Sequence, residues 1–427
     1  MGAKTATKDT IRIVSITPLA VERDSRTFKQ AASVARFGYT SIVVEGERSN
    51  LDRANLPFEL LSLEDRPTHH ASVSPAETGP TRPRSAFANL FGRLKQLPFR
   101  VSGIRFAFDQ LYRHGMRILL HTPKASLYYL HAFNQFPAVY LLSRIHHAPY
   151  IYDAHDFYPG IHEAGDLDLP RRYLALPLQR LLEARCIKHA AAVVTVGEGI
   201  GELQQQAFGR RGLVVRNCHD PRLNRKPPHC LRDGLGLGTD KFLFVVIGHA
   251  KKGQAVWEML EAMTQLPARV HVALLGMGYE RYDMRIQSLK LGDRVHIVPP
   301  VKPFEVVPFI ESADASLILY YPRSANYLNC LPNGFFQAIA AGLPLLYPEL
   351  PEVRRIAEKY QLGLPIDPLS PGSVREAVME LIRNPDRLAE YKENARVAGQ
   401  VLSWEREEQI LGDLIRQTLN SSQGARG

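Results

Sequence analysis

The chain has 427 residues, 45% hydrophobic and 22% charged, a balance that excludes a disordered or fibrous protein. At about 100–200 residues per domain it is too long for one core, and two domains are expected, with three as the upper bound. Lysines and arginines number 53 against 43 acids, a net charge of +10 that suits an anionic partner such as a nucleotide, a membrane surface or nucleic acid.

Short β-branched runs alternate with longer amphipathic stretches. Ile11 to Ile16 (IRIVSI) reads as a buried strand, Arg26 to Phe37 as a helix and Ser41 to Glu45 as a second strand. Further strands are predicted at Leu127 to His131, Ile151 to Asp153, Ala192 to Thr195 and Val214 to Arg216. After a polar, proline-bearing stretch over 217–239 the rhythm restarts. Phe242 to Ile247, Arg269 to Leu274, Val295 to Ile297, Ala315 to Leu319 and Pro344 to Tyr347 supply a second set. Strands separated by helices in this way build parallel sheets, so two consecutive doubly wound α/β domains are expected. In such sheets ligands bind at the carboxyl ends of the strands, and two facing domains make a cleft.

One stretch breaks the rhythm. Residues 67–86 (PTHHASVSPAETGPTRPRSA) are rich in Pro, Ser, Thr and Ala and read as a loop. Residues 80–120 then carry eight basic residues against one acid, Asp109, with Phe87, Phe91, Phe99, Phe106 and Phe108 interleaved. That is the pattern of a basic amphipathic segment able to rest on anionic lipid. A solvated helix packed on its own domain is the other reading.

The four cysteines are scattered with no Cys-x-x-Cys pair, so neither a disulfide framework nor a zinc module is expected, and a reducing compartment is the default. The N-terminus meets a strand pattern before any long apolar run, unlike a secretory signal. The apolar stretch 118–142 is interrupted by His121, Lys124, His131 and Asn134, so it offers no span of ~20 apolar residues for a membrane helix. His69-His70 and His146-His147 look like metal pairs, but adjacent residues in a strand or helix point different ways, and no metal is expected. The expected location is the cytoplasm, with peripheral attachment at the inner membrane face.

The second half carries the strongest motif. Leu331 to Pro351 runs LPNGFFQAIAAGLPLLYPELP and follows ADASLILYYPRSANYLNC. A helix opening near Asn333 would aim unsatisfied N–H groups and a positive dipole end at an anion, with Gly334 permitting close backbone approach. This segment resembles the donor-binding "LPNKLFEYLAAGLPV" stretch of retaining, nucleotide-sugar-dependent glycosyltransferases of the GT-B fold, the family-four type of glycosyl transferases group 1. Similar pieces recur in order. They are Arg23 to Gly46, Leu130 to Pro159 (with YDAHD), the Gly276–Gly278 turn followed by DRVHIVPPV, and the ending LSWERE.

The resemblance implies a sugar transfer from a nucleoside-diphosphate-sugar to a glycan or lipid-linked hydroxyl, with configuration retained. It gives His155 and Asp156 the donor sugar. Gly248, Lys252, Arg323, Asn326, Asn333, Gly334 and Gln337 fall to the nucleotide and diphosphate. Asp24, Ser25, Arg26 and Lys29 occupy the loop where acceptor and phosphate meet. It implies an N-terminal acceptor domain over 1–222 with the basic insert at about 67–113, a donor domain over 223–400, and a last helix in 401–427 crossing back. No cofactor beyond the nucleotide-sugar is implied.

The chain departs from the family pattern at several points. Asn329 and Gln337 stand where the family often has glutamates, Gly334 where it has Lys, Gly248-His249 where it has Gly-Arg, and Phe133 where it has a second histidine. An amide can still accept a hydrogen bond from a ribose hydroxyl, at about half the strength of a carboxylate. A nucleotide-binding protein with weak or no transfer is therefore the alternative. Nucleic-acid binding has only the net charge behind it and no recognisable module.

Overall fold

The computed structural model describes residues 11–64, 114–161, 167, 169 and 171–424. The insert expected over 67–113 lies outside these residues. The chain divides into two compact units. The first comprises residues 1–194, 208–212 and 412–427, and the second residues 195–207 and 213–411.

Seven strands form the first sheet. In chain order they are β1 (Arg12–Thr17), β2 (Thr40–Glu45), β3 (Glu59–Ser62), β4 (Leu127–Leu130), β5 (Tyr150–Ala154), β6 (Ala192–Thr195) and β7 (Leu213–Val214). Their spatial order is β3-β2-β1-β4-β5-β6-β7, and β1 lies parallel to both β2 and β4. The direction of winding reverses beside β1, so the loops leaving β1 and β4 diverge at that edge and leave a place for ligands. Ile13, Val14 and Ile16 are fully buried, as a central strand covered on both faces requires.

Six strands form the second sheet: β8 (Phe242–Ile247), β9 (Val270–Leu275), β10 (Val295–Val298), β11 (Ala315–Leu317), β12 (Leu345–Pro348) and β13 (Gly363–Ile366). The order β10-β9-β8-β11-β12-β13 repeats the same plan, with all neighbours parallel and the reversal beside β8. Along β8 the side chains alternate between two cores. Leu243, Val245 and Ile247 pack with the helix Asn333–Ala340, and Phe244 and Val246 pack with the helix Val256–Thr264. This period-two division is what a doubly wound sheet imposes on a continuously apolar strand.

Two strands were not foreseen, and both are sheet edges. β3 (ELLS) is short and half-polar, and β13 (GLPI) contains Gly363 and Pro365, residues that read as a turn. Each exists because its neighbour, β2 or β12, offers a row of free backbone groups. The strand expected over 214–216 shrinks to the two residues of β7. The last helix, Trp404–Gly424, begins in the second unit and ends in the first, where Gly412 lies so near the Phe37 ring that a Cβ would come within 2.9 Å of it.

Candidate functional site

In the first unit the chemistry gathers at the carboxyl ends of β1, β4 and β5. Asp24 caps the helix Ser25–Arg36, accepting from the Thr27 backbone N–H at 3.1 Å and from the hydroxyls of Thr27 and Thr17 at 2.6 and 2.9 Å. His131 follows β4 directly, and His155 follows the end of β5. Asp153 lies two residues before His155, so strand alternation turns both side chains to the same face of the sheet.

Asp153 is buried and receives three hydrogen bonds. Arg26 donates from Nε and Nη2 at 2.9 and 2.8 Å, and the Tyr129 hydroxyl donates at 3.2 Å. Burial alone would raise this carboxyl. The Arg26 guanidinium, and after it the two imidazoles, outweigh burial and hold it at about 2. His131 is fully buried, with Nδ1 3.2 Å from His155 Nε2 and Nε2 3.3 Å from the Gln30 side-chain oxygen. Burial, joined by the charges of His155 and Arg26, pushes His131 down to about 4, so it is neutral at pH 7. Asp24 also sits below its ordinary range. Burial acts to raise it, and the two histidines with the Thr27 hydrogen bonds overcome that.

The expected residues of this loop are thus divided. Asp24 is spent on a helix cap, Arg26 on Asp153, and Lys29 is buried, while Ser25 and His155 keep partial exposure. Asp156, the expected partner of His155, is half-buried in the turn after β5. Asp153 carries an oxygen 3.9 Å from His155 Nε2. His131, Asp153 and Gln30 were not anticipated. Their signal was the strand alternation in YDAHD and the position of His131 at the end of a strand.

Ligand atoms of His131, Asp153 and His155 lie within 4.8 Å of one another, the one such grouping among the described residues. Both oxygens of that carboxylate already face Arg26, and one also faces Tyr129. As arranged, the cluster is an ion-paired hydrogen-bond network rather than an open cation site.

In the second unit three loops converge where β8 and β9 end. Gly276 comes so close to the chain after β8 that a Cβ would lie 2.3 Å from the Gly248 oxygen, and its φ of +151° excludes most side chains anyway. The Ala250 N–H donates to the Met277 oxygen at 2.9 Å. The Met277 N–H donates to His249 Nδ1 at 3.0 Å, which leaves the proton of the neutral ring on Nε2. Burial, then the neighbouring Lys251 charge, lowers the His249 pKa.

The helix Asn333–Ala340 starts against the same strand end. A Cβ on Gly334 would stand 2.8 Å from the Ile247 oxygen. Pro332 precedes the helix and supplies no side-chain cap; the Phe335 N–H donates to the Pro332 oxygen at 3.0 Å, which leaves the N–H groups of Asn333 and Gly334 to meet an anion. Asn333 is exposed and its Oδ1 accepts from Asn217 Nδ2 at 2.8 Å; Gln337 is half-buried one turn on. Lys252 is exposed on the loop after β8, Arg323 is half-buried, and Asn326 is buried in a short helix whose Ser324 cap precedes it. Asn329 is turned to its own helix, with Nδ2 donating to the Ala325 oxygen at 2.9 Å.

Residues 231–398 match the family described as Glycosyl transferases group 1. No curated protein matches the chain. Solved structures match nearly all of it. A sucrose-phosphate synthase from Thermosynechococcus elongatus is 15% identical with a TM-score of 0.67, covering 96% of this chain and 100% of its own. Anabaena Alr3699/HepE, solved in complex with UDP and glucose, is also 15% identical, with a TM-score of 0.69 and coverage of 95% and 100%. WaaG, described as a glycosyltransferase involved in lipopolysaccharide biosynthesis, is 16% identical with a TM-score of 0.60, covering 95% and 99%. At such identities the likeness establishes the fold: two Rossmann-like parallel-sheet domains of the GT-B type.

Proposed function

We propose that the protein transfers a sugar from a nucleoside-diphosphate-sugar to a hydroxyl of a glycan or lipid-linked acceptor, with retention of configuration. The observation that carries this reading is the uncapped start of the helix Asn333–Ala340, pressed onto the end of β8 through Gly334. A diphosphate leaving group needs fixed positive potential where its charge develops, and preorganised N–H groups supply it without reorganisation. Lys252 and Arg323 add charge from neighbouring loops, and the His249 Nε2–H adds a neutral donor. We assign Gly248, Asn326, Asn333 and Gln337 to the nucleotide and its ribose, and His155 and Asp156 to the sugar.

In this mechanism the departing phosphate takes the acceptor's proton, so no separate base is required, and basic groups with a helix terminus meet the charge without a resident metal. Support for a nucleoside diphosphate comes from the fold shared with the HepE complex. The four cysteines are all unpaired, in keeping with a reducing, cytoplasmic setting. Among the described residues no helix is long and apolar enough to cross a membrane.

The alternative, a binder that transfers weakly or not at all, draws on the amides at Asn329 and Gln337. The first is bonded to its own helix rather than held free. One experiment separates the two. A panel of nucleotide-sugars is screened by thermal shift, where a ligand at a hundred times its dissociation constant adds about 2.7 kcal/mol. The best is then assayed for release of nucleoside diphosphate. Release that falls ~100-fold or more in His155→Ala supports transfer. A thermal shift without release supports the binder, and no shift with any donor defeats both.

A further inference from the structure

Three neighbouring helices of the first unit share a property that the nucleotide chemistry does not use. The helix Gly115–His121 packs on Phe136–His146, where a Cβ on Gly115 would lie 3.9 Å from that of Ala138, and Phe136–His146 packs in turn on Leu176–His189. Each turns large apolar side chains outward. Met116 and Leu120 lie one turn apart on the first, and Leu141 and Ile145 one turn apart on the second. Leu181 is exposed on the third, and Leu174 on the short helical segment Arg171–Ala175 that leads into it. Leu120, Ile145 and Leu174 are 69%, 65% and 60% exposed, far beyond the scattered surface leucine that needs no explanation.

Charge on the same helices has one sign. From residue 110 to 152 the chain has no acid, and over 171–189 its one acid, Glu183, is buried. Arg144, Arg180, Arg185 and Lys188 are exposed, and Arg117 partly so. Arg144 falls between Leu141 and Ile145 on the exposed side of its helix, and Arg117 between Met116 and Leu120. An apolar stripe threaded with cations and, among the described residues of these helices, free of exposed anions fits an interface of acyl chains and negative headgroups. A water-facing surface would instead mix both signs.

We propose that this three-helix face docks the protein on an anionic lipid bilayer. The inference deepens the reading of a lipid-linked acceptor by placing the surface that would meet its membrane, and it stands on residues that take no part in nucleotide binding.

The test uses the full chain and vesicles of phosphatidylcholine with or without phosphatidylglycerol. At low salt the protein should sediment with the anionic vesicles, stay in solution with pure phosphatidylcholine, and be released as salt rises. The double substitution Leu141→Glu with Ile145→Glu should weaken vesicle binding by about tenfold or more, as should Arg144→Glu with Arg180→Glu. Melting temperature and the thermal shift with a nucleotide-sugar should stay unchanged, since the substituted residues are exposed. Equal binding to neutral vesicles, or wild-type binding by both double variants, would overturn the proposal. So would a concentration-dependent dimer abolished by Leu141→Glu with Ile145→Glu, which would make a second copy the occupant. Loss of nucleotide binding with vesicle binding intact would instead remove the transferase reading and leave the docking face standing.

Discussion

Arg26 and Asp153 meet in a two-pronged ion pair inside the first unit, 127 positions apart in sequence, with side-chain exposures of 4% and 1%. Bidentate geometry satisfies both carboxylate oxygens and makes the pair tolerable in a dry environment. Its net contribution over a well-packed apolar pair is small, but breaking it strands a buried charge. Arg26→Met is therefore expected to destabilise the protein by about 3–5 kcal/mol in urea titration, with Asp153→Asn recovering part of the loss in the double variant.

The same pair has a pH signature. Asp153 is held at about 2 against an ordinary 3.8, with the lowering by Arg26 outweighing the effect of burial. A carboxyl with a depressed folded-state value binds fewer protons when folded than when unfolded. Its stabilisation is present above pH 3.8 and is lost as pH falls toward 2. Wild-type melting temperatures should drop across that interval, and the drop should shrink in Arg26→Met. An equal drop in both proteins would show that Asp153 is not the group responsible.

Glu183 works in the opposite sense. Burial, with a smaller push from the Asp156 charge, lifts it from 4.5 to about 8, although a 3.1 Å hydrogen bond from the Tyr152 hydroxyl pulls the other way. The second carboxyl oxygen is buried without a hydrogen-bond partner among the described residues. The folded protein keeps a proton that the unfolded chain releases above 4.5, so this group's contribution declines as pH rises from 4.5 to 8. Glu183→Gln carries no titrating group and should flatten that decline, leaving the variant more stable than wild type at the alkaline end. Thermal melts across the interval read this directly, and parallel curves would refute it.

Gly334 tests the anion site. A methyl group there would press on the Ile247 oxygen at 2.8 Å and on its Cβ at 3.1 Å, so Gly334→Ala must shift the helix start away from the strand. Overpacking of this kind costs about 1–3 kcal/mol. The expected reading is a larger loss in affinity for nucleoside diphosphate, about tenfold, because the N–H groups move with the helix. An unchanged dissociation constant, measured calorimetrically, would remove this helix from the donor site. The contact also gives a physical reason for glycine at this position: in this chain the helix starts too close to the strand for a side chain.

Much of the architecture could be read from residue order. β8 is an unbroken apolar run and β1 a β-branched one, as a covered parallel sheet accepts, and the start of the helix at Asn333 follows from the proline before it and the glycine after it. β3 and β13 could not be read, because their pairing comes from the neighbouring strand rather than from their own composition. The basic, phenylalanine-rich insert was evident as a pattern, while the apolar face on the three helices was not. Leu120, Ile145 and Leu174 look like core residues until exposure is known.

Local composition thus settled which segments become strands and helices, because periodicity and turn residues act over a few positions. The resemblance of their motifs to a known family, rather than composition, marked His155, Asn333, Gly334 and Gln337 as candidates. Tertiary structure alone decided which of the expected groups are spent. Arg26 is consumed by Asp153, and His131 is buried beside His155. The reason is that charge and burial are set by what lies a few ångströms away in space, and those neighbours come from positions 24 to 127 residues apart in the chain.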